Sequence, residues 1–411
     1  MFRNSRLSSR SGNRVLKKEL IILLPRTKGG GYIYAINFIK TLHKLAKKGL
    51  ISGSVTPHVL AESETETKET TLINLVSRKV MLIYQFLRIV GTTSKHNKSS
   101  KPEIVVFVPF EYPYIVQSIL PLIKLIKRNI KLGIKIHSSV PLYSMRSLIR
   151  YFGRFALLAF LGMKLFLFAL NFYDVLMFPC KYTANNYYSK GLLSPLRRRR
   201  RFVISGGALD LDYILSIEPN YGVEYDAVFL SSKITIKDII SILAAWKRVT
   251  TRLHNVKLMI AGVFSGPTLL KKKLRTITDK IIEEFGLQGK VEIFNSGERF
   301  LERKKFISLM IPKKLLVYSS YEDSWPLVIG EALARGLIVI VMEHPAIREV
   351  FGSCPSVITC KTPDQMSNAV LELLTVNKER RENLSKIAVD WASKFSYERL
   401  VTYEIKSLTS N

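Results

Sequence analysis

"KLLVYSSYEDSWPLVIGEALARGLIVIVM", residues 314–342, carries one complete strand–helix–strand unit. Residues 314–320 and 337–342 are short apolar runs of the kind a parallel strand buried on both faces requires. Between them, 326–336 reads as a helix with Pro326 in its first turn, where the missing N–H would have been unpaired anyway. The unit also collects three carboxylates in a chain short of acid. Glu322 and Asp323 lie in the loop, and seven residues separate Asp323 from Glu331 in the helix. Two readings are open at this point. In one, Asp323 caps the helix and Glu331 is solvated. In the other, the carboxylates hold hydroxyl groups of a sugar nucleotide, since one carboxylate accepts two hydrogen bonds from a vicinal diol such as ribose. The free amides of Leu327 and Val328 would then face a phosphate, helped by the positive helix end.

Working outward, the same alternation recurs on both sides. "DAVFLSS" (226–232), "VKLMIAG" (256–262) and "KVEIFN" (290–295) read as strands, with helices over 237–252 and 267–286 and in "RKKFISLM". Further upstream, "LIILLP" (20–25) ends in a turn opened by Gly29, Gly30 and Gly31, and a helix with apolar residues at Ile33, Ile36, Ile39, Leu42 and Leu45 follows. "EIVVFVP" (103–109), "KLGIKIH" (131–137), "VLMFP" (175–179) and "RFVIS" (201–205) are further strands. Two consecutive runs of this kind predict an α/β chain of two Rossmann-like, doubly wound domains, with a ligand crevice at the carboxyl ends of the strands. The expected division is a basic, disordered leader over 1–19, one domain over 20–218, a second over 219–390, and a C-terminal piece over 391–411. A last helix is expected over 379–409.

Length and charge agree with this division. The chain has 411 residues, more than one core usually organises. It holds 63 Lys and Arg against 32 Asp and Glu, net +31, which predicts attraction to polyanions: phosphorylated substrates, an anionic membrane or nucleic acid. No nucleic-acid-binding motif accompanies the charge, so a nucleic-acid partner is the weaker alternative. Cys180, Cys354 and Cys360 are too few and too scattered for a disulfide framework or a zinc site, and no His or Cys pair has ligand spacing, so no metal is expected. A reducing, cytoplasmic setting fits this cysteine usage. Residues 155–173 are strongly apolar but broken by Lys164 and are read as a buried or interfacial helix. With "RRRRR" at 197–201 and Lys-rich stretches around 124–135, they suggest peripheral contact with an anionic membrane at its cytoplasmic face, and residues 71–90 are a basic amphipathic helix candidate.

The segment "YSSYEDSWPLVIGEALARGLIVIVMEHPAIREVF" resembles the donor-site signature of the large retaining glycosyltransferase family of GT-B fold, glycosyltransferase family 4 or "glycosyl transferases group 1". "DAVFLSSKITIKDIISILAAWKRV", "VKLMIAG", "RFVISGGALDLDYI", "RTKGGGYIYAINFIKTL" and "WASKFSYERLVTYEIKSL" are similar to other elements of that family. The resemblance is clear over 215–410 and 20–45 and weak over 50–200. It implies an N-terminal domain that binds the acceptor, a C-terminal domain that binds the nucleotide sugar, and a last helix that returns to the first domain. Carried over, Glu331 would hold the nucleotide ribose. Asp323, or its neighbour Glu322, would touch hydroxyls of the donor sugar. Lys237 would neutralise the leaving diphosphate, with the amides of Leu327 and Val328 beside it. Gly29, Gly30 and Gly31 would let the backbone approach the diphosphate or acceptor. His137 matches the family's active-site His near the transferred sugar.

Three departures stand out. Ser231-Ser232 replaces the usual Gly-Arg, leaving Lys233 as the nearest substitute, and Lys is not equivalent to Arg at a bidentate site. Asp323 replaces a Glu, and Pro326 replaces a Gly. The expected activity is transfer of a sugar from a nucleoside-diphosphate sugar, base unspecified, to a glycan or lipid-linked acceptor. No metal or other cofactor is expected, because cations and helix-end amides can stabilise the departing phosphates. Retention of anomeric configuration is implied by the resemblance alone. A catalytically degenerate scaffold of the same fold is the alternative the departures leave open.

Overall fold

The computed structural model describes residues 18–24, 30–50, 55–61, 103–108, 120–121, 124, 130–137, 156–189, 201–230, 236–262, 269–294, 303–320 and 323–410. In the first lobe, β1 (Lys18–Leu24) leads to α1 (Gly30–Lys47). β2 (Val55–Ala61), β3 (Glu103–Val108), β4 (Ile130–Lys135), α2 (Ala156–Leu170), β5 (Val175–Phe178), α3 (Lys181–Ser189) and β6 (Arg201–Ile204) follow. All pairings are parallel, in the order β2-β1-β3-β4-β5-β6.

A short helix, α4 (Leu211–Leu215), precedes the second lobe. There β7 (Ala227–Leu230), α5 (Ile236–Arg252), β8 (Leu258–Ala261), α6 (Leu269–Glu284), β9 (Val291–Phe294) and α7 (Arg303–Ser308) are followed by β10 (Leu315–Tyr318) and α8 (Leu327–Ala334). β11 (Ile338–Met342), α9 (Pro345–Phe351), β12 (Val357–Cys360), α10 (Pro363–Thr375) and α11 (Lys378–Ala392) complete it. This sheet is also parallel, in the order β12-β11-β10-β7-β8-β9. The strand order reverses between β1 and β3 in one lobe and between β7 and β10 in the other. Helices leave in opposite directions at such points and a crevice opens outside the strand ends.

The strands are those the sequence predicts, with some differences. β1 begins at Lys18, so the last two residues of the expected leader are sheet. β2 is a strand beyond those assigned from the sequence; it lies at the edge, where the missing N–H of Pro57 is tolerated. α9, β12 and α10 are further elements beyond those assigned from the sequence. The single helix expected over 379–409 is two. α11 ends at Ala392, a 3₁₀ turn covers Ser393–Phe395, and Ser396 starts α12 (Tyr397–Thr409), its hydroxyl accepting from the Arg399 N–H. The break is needed because α11 packs on α8 of the second lobe whereas α12 packs on α1 and β3 of the first. Residues 1–17, the helix candidate over 71–90 and Arg197–Arg200 lie outside the described residues.

α2 explains the apolar stretch at 155–173. Met163, Phe166, Leu167 and Leu170 are buried, whereas Leu157, Leu161, Leu165 and Phe168 form a stripe along the opposite face, 61 % and 63 % exposed at its two ends. The helix is therefore buried along one face and exposed along the other. No helix among the described residues is long and apolar enough to cross a membrane.

Candidate functional site

β10 pairs with β7 only at Leu315↔Ala227 and Leu316↔Val228, so the two strands diverge toward their carboxyl ends. The Ser319 hydroxyl, just past β10, donates to Asp238 in the first turn of α5 at 2.7 Å. That bond ties the two loops that flank the switch point. Lys237, the residue before Asp238, is exposed in the same turn. Lys233, Ser231, Ser232 and Glu322 lie outside the described residues.

Asp323 does not cap α8. Its carboxylate accepts from the Tyr318 hydroxyl at 2.6 Å, and Pro326 occupies the N-cap position with no side-chain bond. Leu327 and Val328 are the first two helical residues, whose amides have no intrahelical acceptor. Glu331 is not solvated either. Its side chain is 6 % exposed and bonded to Arg303, whose Nε and Nη2 both donate to Oε1, at 3.1 and 2.8 Å. Burial pushes the Glu331 carboxyl up and Arg303 opposes that shift. The Arg303 guanidinium in turn lies 5.0 Å from the centre of the Tyr213 ring. A Cβ at Gly330 would meet Leu209 Cδ2 at 2.8 Å, so the chain joining the lobes lies directly against the helix that carries Glu331.

In the first lobe, Gly30 and Gly31 open α1 after β1, and Gly29 lies outside the described residues. His137 is two residues past β4, half-buried, with its ring 4.6 Å from that of Tyr34 at 65°. The carboxyl ends of the two sheets face one another. Cys180, just beyond β5, points its Sγ at the Ser324 carbonyl at 3.7 Å, and the Tyr182 and His344 rings meet edge to face at 5.1 Å. Glu349 of α9 accepts from the amides of Lys181 and Tyr182, at 2.6 and 2.9 Å, and so caps α3 across the gap.

Lys237, Asp323, Leu327, Val328 and Glu331 are thus carried by the elements that follow β7 and β10, while Gly30 and Gly31 follow β1 and His137 follows β4. Sequence reasoning missed Arg303, Tyr318, Ser319 and Asp238. The first belongs to a basic stretch that looks like any solvated face, and the other three are ordinary residues at strand and helix ends. Among the described residues no group of three or more His, Cys, Asp and Glu is arranged to hold a metal ion. The three thiols are buried, and burial pushes each of them up, so they have no reactive character here.

Residues 218–391 match the profile of the family described as "Glycosyl transferases group 1". That match spans the second lobe. No curated protein sequence matches the chain significantly. Among solved structures, Anabaena HepE in complex with UDP is similar at 12 % identity, with 96 % of this chain and 100 % of that chain covered and a TM-score of 0.63. The α,α-trehalose-phosphate synthase (UDP-forming) from Burkholderia vietnamiensis is similar at 12 % identity, with 96 % and 100 % coverage and a TM-score of 0.63. Sucrose-phosphate synthase from Thermosynechococcus elongatus is similar at 11 % identity, with 95 % and 98 % coverage and a TM-score of 0.62. Likeness at this identity concerns the fold, which is GT-B in both lobes.

Proposed function

We propose that the chain transfers a sugar from a nucleoside-diphosphate sugar to a glycan or lipid-linked acceptor, with retention of configuration and without a metal. The observation that carries this reading is the buried Glu331 carboxylate at the second switch point, one turn inside a helix whose first amides are unpaired. Arg303 occupies only Oε1, so Oε2 can accept from a ribose hydroxyl. Lys237, exposed in the adjoining first turn, is suited to the leaving diphosphate, and His137 faces the transferred sugar from the first lobe. The chemistry asks for charge stabilisation at the departing phosphates, which a lysine and helix-end amides supply. UDP bound in HepE and formed by the trehalose-phosphate synthase makes uridine donors the first to test.

Thermal-shift titration against UDP, GDP, ADP and their sugars tests the binding half. A ligand at a hundred times its dissociation constant stabilises by about 2.7 kcal/mol. Release of the nucleoside diphosphate then tests transfer, which should collapse in Glu331→Ala and in Lys237→Ala; unchanged turnover in both would remove these residues from the site. One observation favours a second reading, a scaffold that binds nucleotide without transfer: both acids of the motif already have protein partners, Glu331 in Arg303 and Asp323 in Tyr318. Binding without turnover across the donor panel would establish it.

The stripe on α2, with exposed Lys164 beside it and a net charge of +31, supports peripheral attachment to the anionic cytoplasmic face of a membrane. Co-sedimentation with phosphatidylglycerol vesicles at low salt, weakened in Leu161→Asp/Phe168→Asp, is the expected result. Equal sedimentation of variant and wild type would refute this role for α2.

A further inference from the structure

Lys135 in β4 and Glu404 in α12 are both fully buried, 0 % exposed, and 2.6 Å apart. They are far apart in sequence and share a third partner. The Tyr34 hydroxyl donates to Glu404 Oε2 at 2.5 Å, while Lys135 Nζ reaches the same hydroxyl at 3.2 Å and lies 4.4 Å from the centre of the Tyr34 ring. The Tyr397 ring, also on α12, lies 5.9 Å from that of Tyr34 between centroids, tilted by 42°. A buried ion pair is weak evidence for stability, since apolar residues of similar volume usually do as well or better. Its geometric effect is more informative. It holds the tyrosine by its hydroxyl and by its face, and the ring so held meets the His137 imidazole at 4.6 Å. Lys135 ends β4 and His137 lies two residues beyond it, and both contact the Tyr34 ring.

We propose that Tyr34 is a positioning residue that fixes the His137 imidazole, and that Lys135 and Glu404 hold Tyr34 for this purpose, so that the C-terminal helix orients a group of the first lobe's active site. The catalytic part rests on the reading of His137 given above. The geometric part does not.

The test uses the full chain and two variants. Tyr34→Phe keeps the ring and removes its anchor. Lys135→Met/Glu404→Leu replaces the charges with apolar side chains and is expected to fold. Imidazole resonances of the six histidines, with that of His137 assigned from His137→Gln, report the ring contact directly. Nucleotide affinity and steady-state turnover report function. In both variants the His137 resonances should move and nucleotide affinity should stay within about twofold. The donor KM should also hold, while kcat falls about 10- to 100-fold, the effect expected of a misplaced catalytic group. A folded double variant with unmoved His137 resonances, or with kcat within twofold of wild type, overturns the proposal. If wild type binds no nucleotide, the glycosyltransferase reading fails instead, and the resonances still decide whether Tyr34 positions His137.

Discussion

The two lobes share one construction, a parallel sheet whose strand order reverses at one point, yet they are held together differently. The second lobe has one continuous core from Leu209 to Ala392, assembled almost wholly from a single stretch of chain. The first has two cores on opposite faces of its sheet. One is built from Ile21, Val106, Ile134, Phe166 and their neighbours. The other joins Leu20, Ile22, Phe38 and Phe107 to Tyr397, Leu400, Val401, Ile405 and Leu408 of the last helix. The first lobe is therefore finished by the end of the chain. Its sheet face also contains a lysine, Lys135, that Glu404 of that helix neutralises. The second lobe can hold its crevice by local packing, whereas the first lobe depends on a segment that crosses over from its neighbour.

Removing residues 397–411 is the most direct way to break this asymmetry. Each large apolar side chain lost from the core contributes about 1.5–3 kcal/mol, and several together approach the roughly 5–15 kcal/mol that stabilises a whole domain. The truncated chain should lose the first lobe's cooperative unfolding transition while the second lobe's survives, as read by calorimetry. Equal loss of both, or of neither, would contradict the division of cores. The next effect is Glu404→Ala, which leaves Lys135 buried without its counter-charge. Breaking such a pair costs about 3–5 kcal/mol, and the apolar double replacement should recover most of that in denaturant melts.

Where the sequence was readable follows the same line. β7, β10 and β11 are buried on both faces and appear as unbroken apolar runs, so they were identified from composition alone. Asp323 and Glu331 were visible by spacing and chemistry, but their partners were not. Arg303 follows Glu302 and precedes Lys304 and Lys305, and nothing local distinguishes it from a solvated cation. Lys135 in "KLGIKIH" is equally anonymous until Glu404 arrives from the other end of the chain. Pairings over such separations leave no periodicity to read. The split between α11 and α12 is a different case, because Ser396 is an N-cap signal that was present and outweighed by the helical pattern around it.

A gentler probe of the crossing helix is Gly133 in β4. A Cβ there would lie 2.2 Å from Leu408 Cδ2, so α12 seats a leucine where the strand has no side chain. Gly133→Ala should cost about 1–3 kcal/mol, typical of overpacking, and Gly133→Ala/Leu408→Ala should remove the clash in exchange for a cavity. A double-mutant cycle with additive effects would mean the two residues do not share that space.

The smallest expected effect concerns the contact between the lobes rather than either interior. Glu349 is exposed, and its carboxylate accepts from two amides at the start of α3, a cap supplied by the opposite lobe. In Glu349→Ala those amides turn to water, and the loss should be at most about 0.5–1 kcal/mol, near the lower end for caps. Because the bonds run between lobes, the loss should alter their relative position more than their unfolding. Small-angle scattering should give a larger radius of gyration for Glu349→Ala at unchanged calorimetric transitions, and Glu349→Gln, which keeps an acceptor, should lie between. An unchanged radius would instead assign the facing of the lobes to the buried side of the junction, where Leu209 pairs with the Phe395 carbonyl and Trp325 packs against Phe351 and Phe395.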